Sequence, residues 1–405
     1  MDQSDISDKI YVEGLYKIFG PEPEKGLDLL KEGGTKDEVQ KKTGMTVGVQ
    51  DATFSVREGE IFVVMGLSGS GKSTLVRMLN RLIVPTSGSV MVNGEDVIAM
   101  TEKQLVELRR GHMAMVFQSF ALMPHLSVLE NVAFGLEIGG FSKKERLKRS
   151  EEALEQVGLS AYCDVTPAEL SGGQQQRVGL ARGLAVNPEI MLMDEAFSAL
   201  DPLIRTEMQD ELLKIQDQHA RTIIFISHDL DEAMRIGDRI AIMENGGIVQ
   251  VGTPEEILQK PANDYVRAFF RGVDPTHILK LRDIAKPEAV VLQDDISVEE
   301  ALKKLKDQGL YYGCKLDQEN RVSGIVSRSS LQNLLDNKPD EERKMEDAFL
   351  RGVVSVKETD SMQEILPEVA SNPHPLPVLD EEGRYKGMVS KDIFLNTLHR
   401  DRGEE

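Results

Sequence analysis

The chain has 405 residues and a mass of 45.0 kDa, which is enough for two or three domains. Its 40% of hydrophobic and 29% of charged residues indicate a globular protein rather than a disordered one. A formal net charge of −20 argues against a general binder of nucleic-acid phosphates. Two distant cysteines, Cys163 and Cys314, predict a reducing compartment without disulfides. We expect no signal peptide, and no apolar run approaches the roughly 18 residues of a membrane span.

Strand and helix patterns alternate over about the first 270 residues, which predicts a doubly wound α/β domain. A stretch over 20–48 is rich in Gly, Pro, Lys and Glu and has two short helical patterns. Several later runs are continuously apolar, as in strands that are buried on both faces of a parallel sheet. The strand candidates are residues 10–15, 51–56, 60–65, 190–193 and 222–226.

A glycine-rich segment directly follows the apolar run 60–65 and opens a helical pattern. Residues 66–73 fit G-x-x-x-x-G-K-[ST]. In such a loop, backbone N–H groups surround phosphate oxygens, Lys72 supplies a positive charge, and the Ser73 hydroxyl can ligate Mg²⁺. The helix N-terminus adds a partial positive charge. The segment therefore predicts a nucleoside triphosphate site, and the alternative is an ordinary glycine-rich turn.

Carboxylates and a histidine follow two other predicted strands. Asp194 and Glu195 end one apolar run, and His228 follows another. Open α/β sheets build their sites at these strand ends. We expect Asp194 to hold Mg²⁺ and Glu195 to polarise an attacking water as general base. His228 can touch a γ-phosphate or orient the carboxylate, although a lone histidine is more often structural.

An internal repeat occupies the last third of the chain. Residues 317–327 and 380–390 coincide at six positions with an offset of 63 residues. Each copy has the pattern helix, strand, turn, strand, helix, and such repeats pack against each other to complete a core. We therefore predict two domains, over 1–274 and 275–405.

Further motifs resemble those of the ATP-binding subunits of ABC transporters. Residues 170–175 (LSGGQQ) resemble the signature that other P-loop proteins lack. Gln118 resembles the family's Q-loop glutamine, residues 198–201 its D-loop, and His228 its switch histidine. The resemblance covers about residues 10–272. It implies a P-loop cassette with a mixed-sheet core and a helical subdomain over about 120–180.

The resemblance also implies an ATPase that uses Mg²⁺ and closes as a head-to-tail dimer on two ATP molecules. Glu195, His228 and Gln118 would be catalytic, and Ser73, Gln118 and Asp194 would hold the metal. Phe19 sits where the family places an aromatic residue on adenine, and Tyr16 is its rival. The implied ATP-binding residues are Phe19, Gly66, Ser68, Gly69, Gly71, Lys72, Ser73, Thr74, Ser171, Gly173, Gln174 and Asp201.

Three features resemble one branch of the family, the glycine betaine/proline betaine importer ATPases of the ProV and OpuA type. These are the insertion over 20–48, the segments 117–125 and 193–205, and the C-terminal repeat, which resembles tandem CBS domains at about 279–336 and 346–400. The resemblance implies an osmoprotectant importer whose CBS module is regulatory.

Paired CBS domains often bind adenosyl ligands, for which Asp392 is a candidate in the second copy. The first copy has Ser329 at the corresponding position, which weakens the case for a site there. The alternative is a purely structural module that sets subunit contacts.

The partners implied are a second copy, a membrane permease and, indirectly, an extracytoplasmic substrate-binding protein, with this subunit peripheral on the cytoplasmic face of the inner membrane. The alternatives are an importer of another small solute, a soluble ABC ATPase outside transport, and a CBS sensor with a vestigial ATPase. Finally, five cationic residues over 143–149 raise the hypothesis of an ionic-strength sensor at an anionic membrane, against the blander interpretation of a solvated helix face.

Overall fold

The computed structural model describes residues 8–118, 121–198, 200–271, 274, 276, 278–286, 290–293 and 296–399. Contacts divide the chain into two compact units, Met1–Phe270 and Arg271–Glu405. We call the first unit the cassette and the second the module.

A six-stranded sheet forms the centre of the cassette. Its order is β10-β9-β3-β8-β7-β6, and all neighbours are parallel except the β9–β10 hairpin. Every residue of β3, β7 and β8 is buried, as their continuously apolar sequences predict. The strands are β3 (Ile61–Met65), β6 (Met113–Phe117), β7 (Ile190–Asp194), β8 (Thr222–Ser227), β9 (Arg239–Glu244) and β10 (Gly247–Gly252).

A four-stranded antiparallel sheet lies on the same core, in the order β2-β1-β4-β5. The second strand begins at Thr46, five residues before the predicted start at Asp51. Asp51 has a left-handed φ of 45°, and the β1–β2 register shifts beside it, so the pattern of apolar side chains is interrupted there. The strands are β1 (Asp8–Phe19), β2 (Thr46–Arg57), β4 (Ser87–Val92) and β5 (Glu95–Asp96).

Eleven helices are described in the cassette. Several begin at a capping box, in which a Ser or Thr side chain and a Glu or Gln three residues later satisfy each other's backbone N–H groups. The helices are α1 (Pro23–Lys31), α2 (Lys36–Thr43), α3 (Lys72–Leu79), α4 (Glu102–Glu107), α5 (Val128–Ile138), α6 (Lys143–Gln156), α7 (Gly172–Ala185), α8 (Pro202–Gln218), α9 (Leu230–Ile236), α10 (Pro254–Gln259) and α11 (Asp264–Phe269).

The module consists of two similar halves, each with a three-stranded sheet. In each half the first two strands are parallel and the last two antiparallel. The first half has β11 (Val290–Leu292), α13 (Val298–Asp307), β12 (Tyr312–Leu316), β13 (Val322–Ser327) and α14 (Arg328–Asn337). The second has β14 (Val356–Lys357), α15 (Leu366–Ser371), β15 (Leu376–Leu379), β16 (Tyr385–Val389) and α16 (Lys391–His399).

The segment that precedes the first half is bonded to the second half. It contains α12 (Leu281–Ile284), and bridges join Lys280 to Ser361 and Lys286 to Met388. A shared apolar cluster also crosses the two halves, through Cys314 on β12 and Tyr385 on β16. The halves are therefore interlocked through this shared cluster, beside a second cluster that belongs to the first half alone.

Candidate nucleotide site

Four predicted site segments meet at one edge of the parallel sheet. Gly66 follows β3, Gln118 follows β6, Glu195 follows β7 and His228 follows β8. Because these strands are parallel neighbours in register, their carboxyl ends lie side by side. The sheet therefore brings together groups that lie more than 160 residues apart in sequence.

The loop between β3 and α3 requires glycine where other backbone approaches closely. A Cβ atom at Gly71, where φ is 104°, would lie 2.2 Å from the Gly48 carbonyl oxygen. A Cβ atom at Gly66 would lie 2.2 Å from the Met243 carbonyl oxygen. Larger residues cannot occupy these positions without displacing the neighbouring backbone, so the loop conformation requires glycine there.

Lys72 begins α3 and folds its side chain back over the loop. Its ammonium group donates hydrogen bonds to the carbonyl oxygens of Gly66 at 2.8 Å and Leu67 at 3.2 Å. Burial lowers the pKa of Lys72, while the charges of Glu195 and Asp194 act in the opposite direction. An anion beside the ammonium would favour its charged form further.

Ser70 is buried in the same loop, and its hydroxyl lacks a hydrogen-bond partner among the described residues. A buried hydroxyl of this kind is costly unless something accepts its proton. The hydroxyl lies inside the loop and is shielded from solvent.

Asp194 is buried at the end of β7 and is held from two sides. The Ser73 hydroxyl donates to its Oδ1 at 2.8 Å, and Arg77 of α3 donates to its Oδ2 at 2.9 Å. The Ser73 and Asp194 oxygens form a hard, oxygen-only donor pair of the type that Mg²⁺ prefers, so these residues fit the metal that the motif implies.

Glu195 adopts a left-handed backbone, with a φ of 48°. Its carbonyl oxygen accepts hydrogen bonds from the Ser198 amide at 3.2 Å and hydroxyl at 2.9 Å, and these hold the strained turn. The turn places its carboxylate 3.5 Å from Nδ1 of His228. Gln118 donates from its amide to the Ser198 hydroxyl at 3.2 Å, so it joins the same cluster.

Phe19 and Tyr16 lie in different surroundings on β1. The Phe19 ring is 41% exposed, and Lys17 lies 5.1 Å from its centroid. Phe19 also lies close to Gly48 and so borders the phosphate loop. Tyr16 instead packs against the core of the insertion, and burial and the Asp51 carboxylate raise its pKa. Of the two aromatic residues, Phe19 is the more exposed and the one that borders the phosphate loop.

The signature residues lie at the start of α7, about 100 residues after the phosphate loop in the sequence. The Ser171 hydroxyl accepts a hydrogen bond from the backbone N–H of Gln174 at 3.3 Å. In return, the side-chain Oε1 of Gln174 accepts one from the backbone N–H of Ser171 at 2.9 Å. Gly173 packs against Ile204 of α8, just beyond Asp201. Ser171 therefore caps α7 and stands exposed at its positive end.

Comparison with known proteins agrees with this geometry. A family model described as ABC transporter matches residues 49–198, and one described as CBS domain matches 281–337 and 346–400. The glycine betaine/proline betaine transport system ATP-binding protein ProV of Salmonella typhimurium is 52% identical over 98% of each chain. The chain belongs to the ABC transporter family.

Two further relatives extend the comparison of this ABC protein. The glycine betaine transport ATP-binding protein OpuAA of Bacillus subtilis is 47% identical, over 96% of this chain and 92% of that one. The dimeric post-hydrolysis structure of the ATP-binding cassette MJ0796, bound to ADP and Pi, matches with a TM-score of 0.51 and 30% identity. It covers 60% of this chain and 98% of that chain. The predicted ABC ATPase fold and activity, and the CBS domains, are thereby confirmed.

Three groups around the ABC site were not predicted from the sequence. Arg77 and Ser70 belong to the matched loop and its helix, but no family pattern singled them out. Arg205 of α8 bonds Asp229, which follows His228, at 2.7 Å and also reaches the Leu200 carbonyl at 3.3 Å. These contacts connect segments from different strands, and no sequence spacing signals them.

Three of the five cationic residues over 143–149 on α6 form ion pairs with nearby glutamates. Arg146 pairs with Glu137 at 2.8 Å, Lys148 with Glu152 at 3.7 Å, and Arg149 with Glu145 at 2.7 Å. These pairs favour a solvated helix face, and ionic-strength sensing by this segment stays a prediction.

Proposed function

We propose that this chain is the ATP-hydrolysing subunit of an importer for small quaternary-amine osmoprotectants of the glycine betaine type. The substrate class is inferred from the similarity to ATP-binding proteins of betaine transport systems, which extends over nearly the full length of the chain. None of the described helices is long and apolar enough to cross a membrane. From the transport systems to which these relatives belong, we infer a membrane permease as partner, with this subunit peripheral on the cytoplasmic face of the inner membrane and an extracytoplasmic binding protein as indirect partner.

In this proposal the phosphate loop holds the β- and γ-phosphates of ATP. Lys72 contributes positive charge, and backbone N–H groups of the loop contribute hydrogen bonds. Phe19 stacks on the adenine. The remaining loop contacts come from Gly66, Ser68, Gly69, Gly71, Ser73 and Thr74.

Ser73, Asp194 and Gln118 would hold Mg²⁺, which neutralises charge on the phosphate oxygens when bound. Glu195 acts as the general base. The Ser198 bonds to its backbone carbonyl hold the turn that carries the side chain, and its carboxylate can accept a proton from water. His228, 3.5 Å from that carboxylate, orients it and faces the γ-phosphate.

A second copy would complete the site. Ser171, Gly173 and Gln174 of the partner subunit would approach the γ-phosphate, because a helix N-terminus with an exposed hydroxyl favours an anion. Asp201 lies in the adjacent D-loop and would contact the same interface. ATP then links two chains, and hydrolysis releases them.

Glu195→Gln tests both parts of this proposal. We expect the variant to bind ATP, to lose hydrolysis by about 10²-fold or more, and to elute as a dimer when ATP is present. Size-exclusion chromatography with and without ATP, beside a turnover assay, measures both effects. Glu211→Gln, at a half-buried glutamate of α8, serves as the matched control. Normal turnover in Glu195→Gln would remove Glu195 from the role of base.

We also propose that the module is regulatory and that Asp392 accepts the ribose hydroxyls of an adenosyl ligand. Asp392 is exposed in the first turn of α16, whereas its counterpart Ser329 is bonded to Ser327 at 2.9 Å and Tyr311 at 3.3 Å. Calorimetric titration of AMP into a chain with Lys72 replaced by alanine isolates the module. Equal heats of AMP binding in the Lys72→Ala chain with and without Asp392→Ala would contradict this assignment.

A further inference from the structure

The inserted helix pair α1–α2 has no role in the function proposed above, yet it has a fixed position beside the phosphate loop. Its apolar side chains form a small core with the two strands that flank it. Because β1 enters this core and β2 leaves it, the insertion is anchored at both ends. The buried members are Ile18, Leu27, Val39, Met45 and Val47.

The strand that leaves the insertion rests on the phosphate loop. The Gly48 carbonyl oxygen occupies the space in which a Cβ atom at Gly71 would stand. A Cβ atom at Gly48 would itself lie 2.8 Å from the Phe19 ring and 3.3 Å from the Thr74 side chain. The end of the insertion therefore packs closely against both the phosphate loop and the Phe19 ring, which is proposed to stack on adenine.

Lys36 is the first residue of α2 and points to the loop. A capping box between Thr35 and Glu38 fixes the start of the helix. In this box the Glu38 carboxylate accepts a hydrogen bond from the backbone N–H of Thr35 at 3.0 Å. The Lys36 ammonium group donates to the Gly69 carbonyl oxygen at 3.4 Å. Lys36 is half-buried, unlike its exposed neighbour Asp37.

We propose that Lys36 is a second phosphate-binding lysine, which the insertion supplies to the polyphosphate of ATP in addition to Lys72. The inference rests on the assignment of the Gly66–Thr74 loop to phosphates. An ammonium group has three donors and no acceptor, so it can hold the Gly69 carbonyl and a phosphate oxygen together. The contact with Gly69 keeps the charge at the loop, where the phosphates would bind.

Equilibrium binding of a fluorescent ATP analogue to the full chain tests the proposal. Lys36→Met keeps the aliphatic stem and removes the charge, and we expect it to weaken binding about tenfold, as for the loss of a charge-assisted hydrogen bond. Lys36→Arg should retain most of the affinity. Lys41→Met, an exposed lysine in the last turn of α2, is the matched control and should bind like wild type.

A salt series separates charge from structure. The difference between wild type and Lys36→Met should shrink as ionic strength rises from about 0.1 M to about 1 M, because the screening length falls from about 10 Å to about 3 Å. A loss that is independent of salt and accompanied by a lower Tm than that of Lys41→Met would indicate a structural role and overturn the proposal.

Lys72→Ala distinguishes the failure of this inference from that of the site. If Lys72→Ala abolishes binding while Lys36→Met stays within about twofold of wild type, Lys36 has no phosphate role and the proposed site stands. If Lys72→Ala binds like wild type, the loop is not the phosphate site, and both proposals fall.

Discussion

Replacing Gly173 by alanine tests how the two glycines of the signature differ. A Cβ atom at Gly173 would lie 2.6 Å from Cγ2 of Ile204, whereas ordinary contact begins at 3.4 Å, and a Cβ atom at Gly172 has nothing within 4 Å. Gly173→Ala therefore forces α7 and α8 apart or displaces Ile204, while Gly172→Ala meets open space. The difference lies within one chain and needs no partner subunit.

The expected magnitude follows from the contact. Overpacking of this kind costs about 1–3 kcal/mol, and the lower half applies because Ile204 is only half-buried. The better helix propensity of alanine raises the free energy of unfolding by about 0.5–1 kcal/mol and so offsets part of this cost. We expect a net destabilisation of about 1 kcal/mol, or about 2–4 °C in the Tm of a domain of this size. Gly172→Ala should be neutral or slightly stabilising.

Scanning calorimetry of the full chain measures the cassette transition in both variants. Ile204→Ala, alone and with Gly173→Ala, completes a cycle in which removal of Cγ2 should recover about 1 kcal/mol. Equal Tm values for Gly173→Ala and Gly172→Ala would refute the predicted clash with Ile204. Additive changes in the free energy of unfolding for Gly173→Ala and Ile204→Ala would refute it as well.

Two further predictions concern Glu189 and the cysteines. Hydrogen bonds from Lys9 and His112 lower the pKa of Glu189 to about 2, so its stabilisation is present above pH 4.5 and lost as the pH falls towards 2. After screening at this exposed site, Glu189→Gln should cost up to about 1 kcal/mol at pH 7 and progressively less below pH 4.5, and equal unfolding midpoints at pH 7 would contradict this. Burial raises the pKa of Cys314 to about 12, so a thiol reagent should modify only Cys163 in the native chain and both cysteines after unfolding. Rapid modification of two thiols in the native chain would show that Cys314 is accessible.

Most of the site could be predicted from the sequence because its chemistry lies in short motifs at the ends of apolar runs. The loop at Lys72, the pair Asp194 and Glu195, and His228 each follow such a run, and parallel strands place their carboxyl ends together. Burial on both faces also makes these strands easy to recognise.

The remaining contacts depend on tertiary structure, for which the chain carries no spacing signal. Arg77 reaches Asp194 across 117 residues, and Lys36 reaches Gly69 from an insertion with its own small core. The pairing of Lys286 with Met388 likewise exchanges a segment between the two halves of the module, which a repeat alone does not reveal. The early start of β2 was missed because the left-handed Asp51 interrupts the alternation.

Uptake of radiolabelled glycine betaine tests the central claim most directly. Cells without betaine importers of their own would express this chain with its permease and binding protein, beside the same set carrying Glu195→Gln at equal abundance. The account predicts uptake that requires the wild-type chain and is abolished in the variant. Equal uptake in both strains, or no uptake while the purified chain hydrolyses ATP normally with its permease, would contradict it.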